Sequence, residues 1–132
     1  KFIWLKDYSL LEASKFLCPN VEPSKELKTV IELSGGIPEL VFGIQRTLED
    51  LTMDNIKSEW TAVGREIHQV IDIVSAKRKL LFRLQQLSNL NKIHKYTPMD
   101  EQLIQAGLAR SYYSSNVMSV QLRAPYIAEM LK

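Results

Sequence analysis

LARSYYSSNVMSVQL, residues 108–122, is the stretch that decides the fold. Two runs rich in Tyr, Val and Leu, Leu108–Tyr113 and Val117–Leu122, flank Ser114-Ser115-Asn116. Small polar residues tolerate a tight turn, so the stretch reads as two strands joined in a β-hairpin. Its surroundings are helical. Upstream, Thr97-Pro98-x-Asp100 offers a cap, a first-turn proline and an early acid, predicting a helix over Pro98–Ala106 that Gly107 ends. Before it, Asn89–Tyr96 reads as loop, and Ser75 opens a helix with Leu80, Leu81, Leu84 and Leu87 inward. Downstream, Pro125 starts a short helix through Leu131. The order is helix, helix, hairpin, closing helix.

The first half is helical throughout. Ser9 and Glu12 form an S-x-x-E capping box ahead of Leu10, Leu11, Ala13, Phe16 and Leu17, and Pro19 stops that helix. Ser24 caps a second helix through Leu33, with Leu27, Val30 and Ile31 on one side. Gly35-Gly36 stops it, and Pro38 opens a third helix carrying Leu40, Val41, Ile44, Leu48 and Leu51 inward. Asp54 caps a longer fourth helix, in which Ile56, Trp60, Val63, Ile67, Val70, Ile71 and Val74 repeat at threes and fours. Phe2-Ile3-Trp4-Leu5 reads as the tail of a strand.

Composition narrows the class. The chain has 132 residues, 45% hydrophobic and 24% charged, as expected of a folded domain or two small ones. Residues 1–74 carry 8 Lys and Arg against 12 Asp and Glu, while residues 75–132 carry 9 against 3. Two modules of opposite sign, −4 and +6, therefore hide in a net charge of +2. No apolar stretch approaches the roughly 20 residues of a membrane span. A single Cys18 and no leader-like segment point to a cytoplasmic setting, and Lys1 in place of Met reads as a piece of a longer protein.

In its order of elements, and in three short motifs, the sequence resembles the C-terminal part of a P-loop ATPase of the STAND and archaeal-type AAA+ group. Phe2–Ser9 with Leu11-Glu12-Ala13 is similar to the exit from the last core strand into the first lid helix. Ser34-Gly35-Gly36-Ile37-Pro38 is similar to the Gly-x-Pro motif of the lid. Leu103-Ile104-x-x-Gly107-Leu108 and Leu122–Tyr126 resemble the last helix, hairpin and exit of a winged helix. The resemblance implies a mainly α chain: a helical lid subdomain over residues 1–74, then a winged-helix (helix-turn-helix with β-hairpin) domain over 75–132. It implies that Gly36, Ile37 and Pro38 touch the base and ribose of ATP or ADP bound by a separate P-loop core, with Gly35 shaping the turn. Residues 39–45 contain no Arg or Lys, so the γ-phosphate arginine of many AAA+ lids has no counterpart, which favours the STAND version. The chain has no G-x-x-x-x-G-K-[ST] and is expected to hydrolyse nothing by itself. Read without the resemblance, Gly-Gly-x-Pro is a helix stop and a helix start.

The competing function is nucleic-acid binding. Lys77, Arg78, Lys79, Arg83, Lys92 and Lys95 lie between Asp72 and Asp100 with no acid among them, and Arg110, Tyr112 and Tyr113 sit on the hairpin. Such a surface can grip DNA phosphates, or dock on an acidic protein domain. The groove-reading helix of such a domain would be Pro98–Ala106, which carries Asp100 and Glu101 and no Lys or Arg. His68, His94 and Cys18 show no metal-ligand spacing, and no nucleophile–base constellation stands out, so neither a metal centre nor catalytic residues are expected.

Overall fold

The computed structural model describes residues 7–131, so the strand expected at Phe2–Leu5 lies outside the described residues. The chain divides into two compact units, the first ending at Arg65 and the second beginning at Glu66. The boundary thus precedes the change of charge after Val74. The first unit contains α1 (Leu10–Leu17), α2 (Lys25–Ser34), α3 (Pro38–Arg46), a 3₁₀ turn (Leu48–Asp50) and α4 (Met53–Val63). The second contains α5 (Arg65–Ser75, its first residue at the boundary), α6 (Arg78–Leu87), β1 (His94–Lys95), α7 (Asp100–Gln105), β2 (Ala109–Ser114), β3 (Val117–Leu122) and α8 (Pro125–Met130). The protein is mainly helical with one small antiparallel sheet.

Local chemistry starts the first helices as expected. Ser9 and Glu12 form the complete capping box, and the Ser24 hydroxyl accepts the Leu27 N–H. Gly35 and Gly36 both adopt positive φ, 62° and 77°, and Pro38 is the first residue of α3. The core of this unit gathers around Trp60. Its indole is buried and its Nε1–H donates to the Leu40 carbonyl at 2.8 Å, among Ile37, Leu40, Val41, Ile44 and Ile56. A buried indole needs such a partner, because an unpaired N–H forfeits its water without compensation. Gly43 lies under the ring: a Cβ there would come within 2.8 Å of Trp60 Cδ1.

Several boundaries differ from the sequence reading. Helix α3 ends at Arg46 because the Thr47 hydroxyl donates back to the Ile44 carbonyl at 3.1 Å, leaving Leu48 and Leu51 half-buried rather than in the core. Thr52, not Asp54, caps α4, accepting the Asn55 N–H at 3.2 Å. The expected long fourth helix is two helices broken at Gly64, whose N–H closes α4 on the Trp60 carbonyl at 2.8 Å. Ser75 ends α5 instead of opening α6, which starts from Lys77 with no side-chain cap. The helix expected from Pro98 is α7 and begins only at Asp100.

The expected hairpin is present, with its first strand shifted by one residue, so that Ser114 is the last residue of β2 and not part of the turn. β2 and β3 pair antiparallel from Ala109↔Leu122 to Ser114↔Val117, joined by Ser115 and Asn116, both at positive φ (51° and 66°). Two consecutive left-handed residues make the primed turn that matches strand twist. The loop expected before Thr97 holds β1, which pairs with β3 through His94↔Val120 and Lys95↔Ser119, giving the sheet order β1-β3-β2. Val120, Leu122 and Ala109 bury one face, toward the base of the hairpin. One helix, α7, lies between β1 and β2.

The Gly36 turn is filled by the chain's own backbone. The Tyr8 N–H donates to the Gly36 carbonyl at 2.7 Å, and a Cβ on Gly36 would sit 1.8 Å from the Tyr8 carbonyl oxygen. Gly36→Ala is therefore expected to destabilise the first unit by about 2–4 kcal/mol, combining the left-handed backbone cost with the clash. Gly35→Asn, at a plain helix-end αL position, is expected to cost about 1 kcal/mol or less. Urea unfolding followed by circular dichroism compares the two, and equal midpoints would contradict the packing of Tyr8 on Gly36.

Candidate functional site

The four residues expected at a nucleotide stand together in the first unit, between α2 and α3. Gly36, Ile37 and Pro38 are buried and Gly35 is half-buried. Ser34 is also buried; its hydroxyl donates to the Ile31 carbonyl at 2.6 Å and accepts the Gly36 N–H at 3.1 Å. Side chains at 37 and 38 thus hold the turn from inside, while Gly35 and the exposed Glu39 form its accessible rim. Helix α3 carries no Lys or Arg before Arg46, which pairs with Glu59 at 3.2 Å.

The basic residues of the second unit divide into engaged and exposed ones. Arg83 is taken into the structure. Its Nε donates to Asp100 Oδ1 at 2.7 Å, and one terminal nitrogen donates to Asp100 Oδ2 at 3.0 Å and to the Lys95 carbonyl at 2.8 Å. Arg110 is half-buried and donates to the Arg123 carbonyl. Lys77, Arg78, Lys79, Lys92 and Lys95 are exposed. The first three stand at the start of α6, Lys95 lies in β1 with its carbonyl on Arg83 in the middle of α6, and Lys92 belongs to the loop before β1.

Asp100 is fully buried, and its Oδ2 also accepts the Thr97 N–H at 2.8 Å and the Thr97 hydroxyl at 3.1 Å. Burial pushes this carboxyl up, but the Arg83 bonds and charge, with the Thr97 donors, outweigh it and hold the group below the usual aspartate value. Its negative charge is therefore neutralised internally. Glu101 accepts the Tyr96 hydroxyl at 3.0 Å and is the acid that α7 leaves exposed.

Sequence reasoning passed over a third location. Because β1 pairs through only two residues, the chain at 89–93 leaves the sheet, and a cleft of about 270 Å³ opens beside Gln121 and Leu122 of β3. Loop residues Asn89–Ile93, His94, Tyr112 and Pro125 contribute to its lining. His94 Nε2 lies 3.0 Å from the Asn89 carbonyl. The signal in sequence was Asn89–Asn91 with Lys92, which reads simply as loop.

Among the described residues no group of His, Cys, Asp and Glu is placed to hold a metal ion, and no helix is long and apolar enough to cross a membrane. Comparison of the chain with protein-family models, with curated proteins and with solved structures returns no match.

The Arg83–Asp100 pair generates a prediction. Arg83→Met leaves a buried carboxylate unpaired and is expected to cost the second unit about 3–5 kcal/mol, whereas Arg83→Met combined with Asp100→Leu costs less than the two single changes added. Because the folded-state pKa of Asp100 is lowered, its contribution is present above the unfolded value, about 4, and is lost as pH falls through the folded value. Urea unfolding between pH 2 and 7 is expected to show this acid-side loss in the wild type and not in Asp100→Asn.

Proposed function

We propose that this chain is a regulatory module of a P-loop ATPase of the STAND or AAA+ kind. In this reading the first unit is a lid over ATP or ADP held by a P-loop core, and the second unit relays nucleotide state to a partner. The observation that carries the reading is the turn at Gly35–Pro38. Two left-handed glycines turn the chain into α3, Gly36 covered by the Tyr8 backbone and Gly35 half-buried at the rim, and the segment leading into α1 is fastened to that turn through Tyr8. A displacement of the incoming chain is thereby passed to the turn, which is the coupling that a nucleotide-sensing lid requires. Ile37 and Pro38 act by fixing the turn from within, and Gly35 offers the backbone edge to the nucleotide.

The second unit is read as a winged helix whose wing is β2–β3. Its strand order, β1-β3-β2, and the hairpin directly after α7 support this, with α6 and α7 as the helices preceding the wing. The wing and the exposed Lys77, Arg78 and Lys79 support a second reading, a DNA-binding winged-helix module. Of the two acids that argue against phosphate contact along α7, Asp100 is buried and neutralised internally while Glu101 stays exposed.

In the full-length ATPase, Pro38→Ala is expected to speed ADP release several-fold while the lid stays folded. A fluorescent ADP analogue chased with ATP measures this, and an unchanged off-rate overturns the lid role. Lys77→Ala/Arg78→Ala/Lys79→Ala is expected to lower duplex affinity and flatten its salt dependence only if the second reading holds.

A further inference from the structure

We propose that the cleft beside β3 receives one unpaired base of a single-stranded nucleic acid, stacked on Tyr112. This rests on neither reading above. The first ground is size: about 270 Å³ lies just under the roughly 300–1,000 Å³ of small-molecule sites and suits a single planar ring with its attached atoms. The second is chemistry. Tyr112 is the aromatic residue of the lining, beside Asn91 and Gln121, whose side chains carry both donors and acceptors, and the apolar Leu87, Leu90, Ile93 and Leu122. The third is charge. Lys92 lines the cleft and no Asp or Glu does, so a phosphate arriving with the base meets a cation and no opposing carboxylate.

Sheet register extends the site beyond the cleft. Tyr112, Ser119 and Lys95 stand in line across the three strands, so their side chains share one face, with Arg110 and Gln121 as the next pair on it. This face opposes the one that carries Val120 and Leu122 into the core. Lys95 and Gln121 are exposed and Tyr112 is half-buried, while Ser119 between Lys95 and Tyr112 is buried. A duplex cannot reach the cleft, because its bases are stacked and paired. An acidic peptide would use the lysines but has no ring for Tyr112.

The test is fluorescence anisotropy of the 132-residue chain with labelled single-stranded DNA and RNA 10-mers of mixed sequence, the matching DNA duplex, and a poly-glutamate peptide. One of the single strands is expected to bind about tenfold or more tightly than the duplex. Tyr112→Leu is expected to weaken it about tenfold, and Tyr112→Phe, which keeps the ring, to leave it within about twofold. Lys92→Gln is expected to weaken binding and reduce its salt slope. Thermal unfolding confirms that each variant folds. Absence of single-strand binding at low salt, equal affinity for the duplex, or a folded Tyr112→Leu that binds like wild type each overturns the proposal. Poly-glutamate binding as tightly as the single strands, with the same response to Lys92→Gln, would reassign the cleft to an acidic partner protein.

Discussion

The second unit depends on one guanidinium. Arg83 projects from α6 and ties together three elements that sequence separates: α6 itself, the β1 backbone at Lys95 and the first residue of α7 at Asp100. A buried ion pair of this kind is a weak source of net stability, since desolvating both charges offsets most of their attraction. Its value lies in geometry. A planar fork that must meet a carboxylate on two nitrogens and a carbonyl on one of them admits few arrangements of the chain. Beyond the end of β1 held by Arg83, the Tyr96 N–H still donates to the Met118 carbonyl, while at its other end the loop 89–93 lines the cleft.

The first unit is organised around an apolar residue with a single polar demand. Trp60 fills the space between α3 and α4, and its N–H finds the Leu40 carbonyl across the helix pair. Around this core the Gly35–Pro38 turn is held by Ser34 inside and by the Tyr8 backbone outside. The two units thus use different means to fix a local geometry. One relies on a charged fork and the other on glycine backbone packed too closely for any Cβ.

What was legible in the sequence was local. The hairpin could be placed because its polar turn sits between two adjacent runs, although its register could not, since Ser114 belongs to β2 and not to the turn; the Ser9 and Ser24 caps lie within three residues of their partners. What stayed hidden depended on contacts distant in sequence. β1 has no periodicity of its own and exists because β3 pairs with it. Gly64 lies inside an unbroken helical stripe, and nothing nearby announces that the helix ends there. Arg83 looked like one more cation in a basic run, since its charge is visible but its carboxylate lies 17 residues on. The same blindness made Asp100 look like an exposed acid and concealed the cleft, which exists only once β1 is placed.

Gly43 has a consequence for the history of the sequence. A glycine in a helix interior costs about 1 kcal/mol relative to alanine. Here the indole of Trp60 occupies the place where a Cβ would stand, with Val63 pressing from the other side at 3.3 Å. The two positions are therefore not free to drift separately. A lineage that acquires a side chain at 43 must first, or together with it, trade the indole at 60 for something smaller. In relatives of this protein small-with-large at 43 and 60 should be inherited as a linked pair, and the reverse combination should appear only where both have changed.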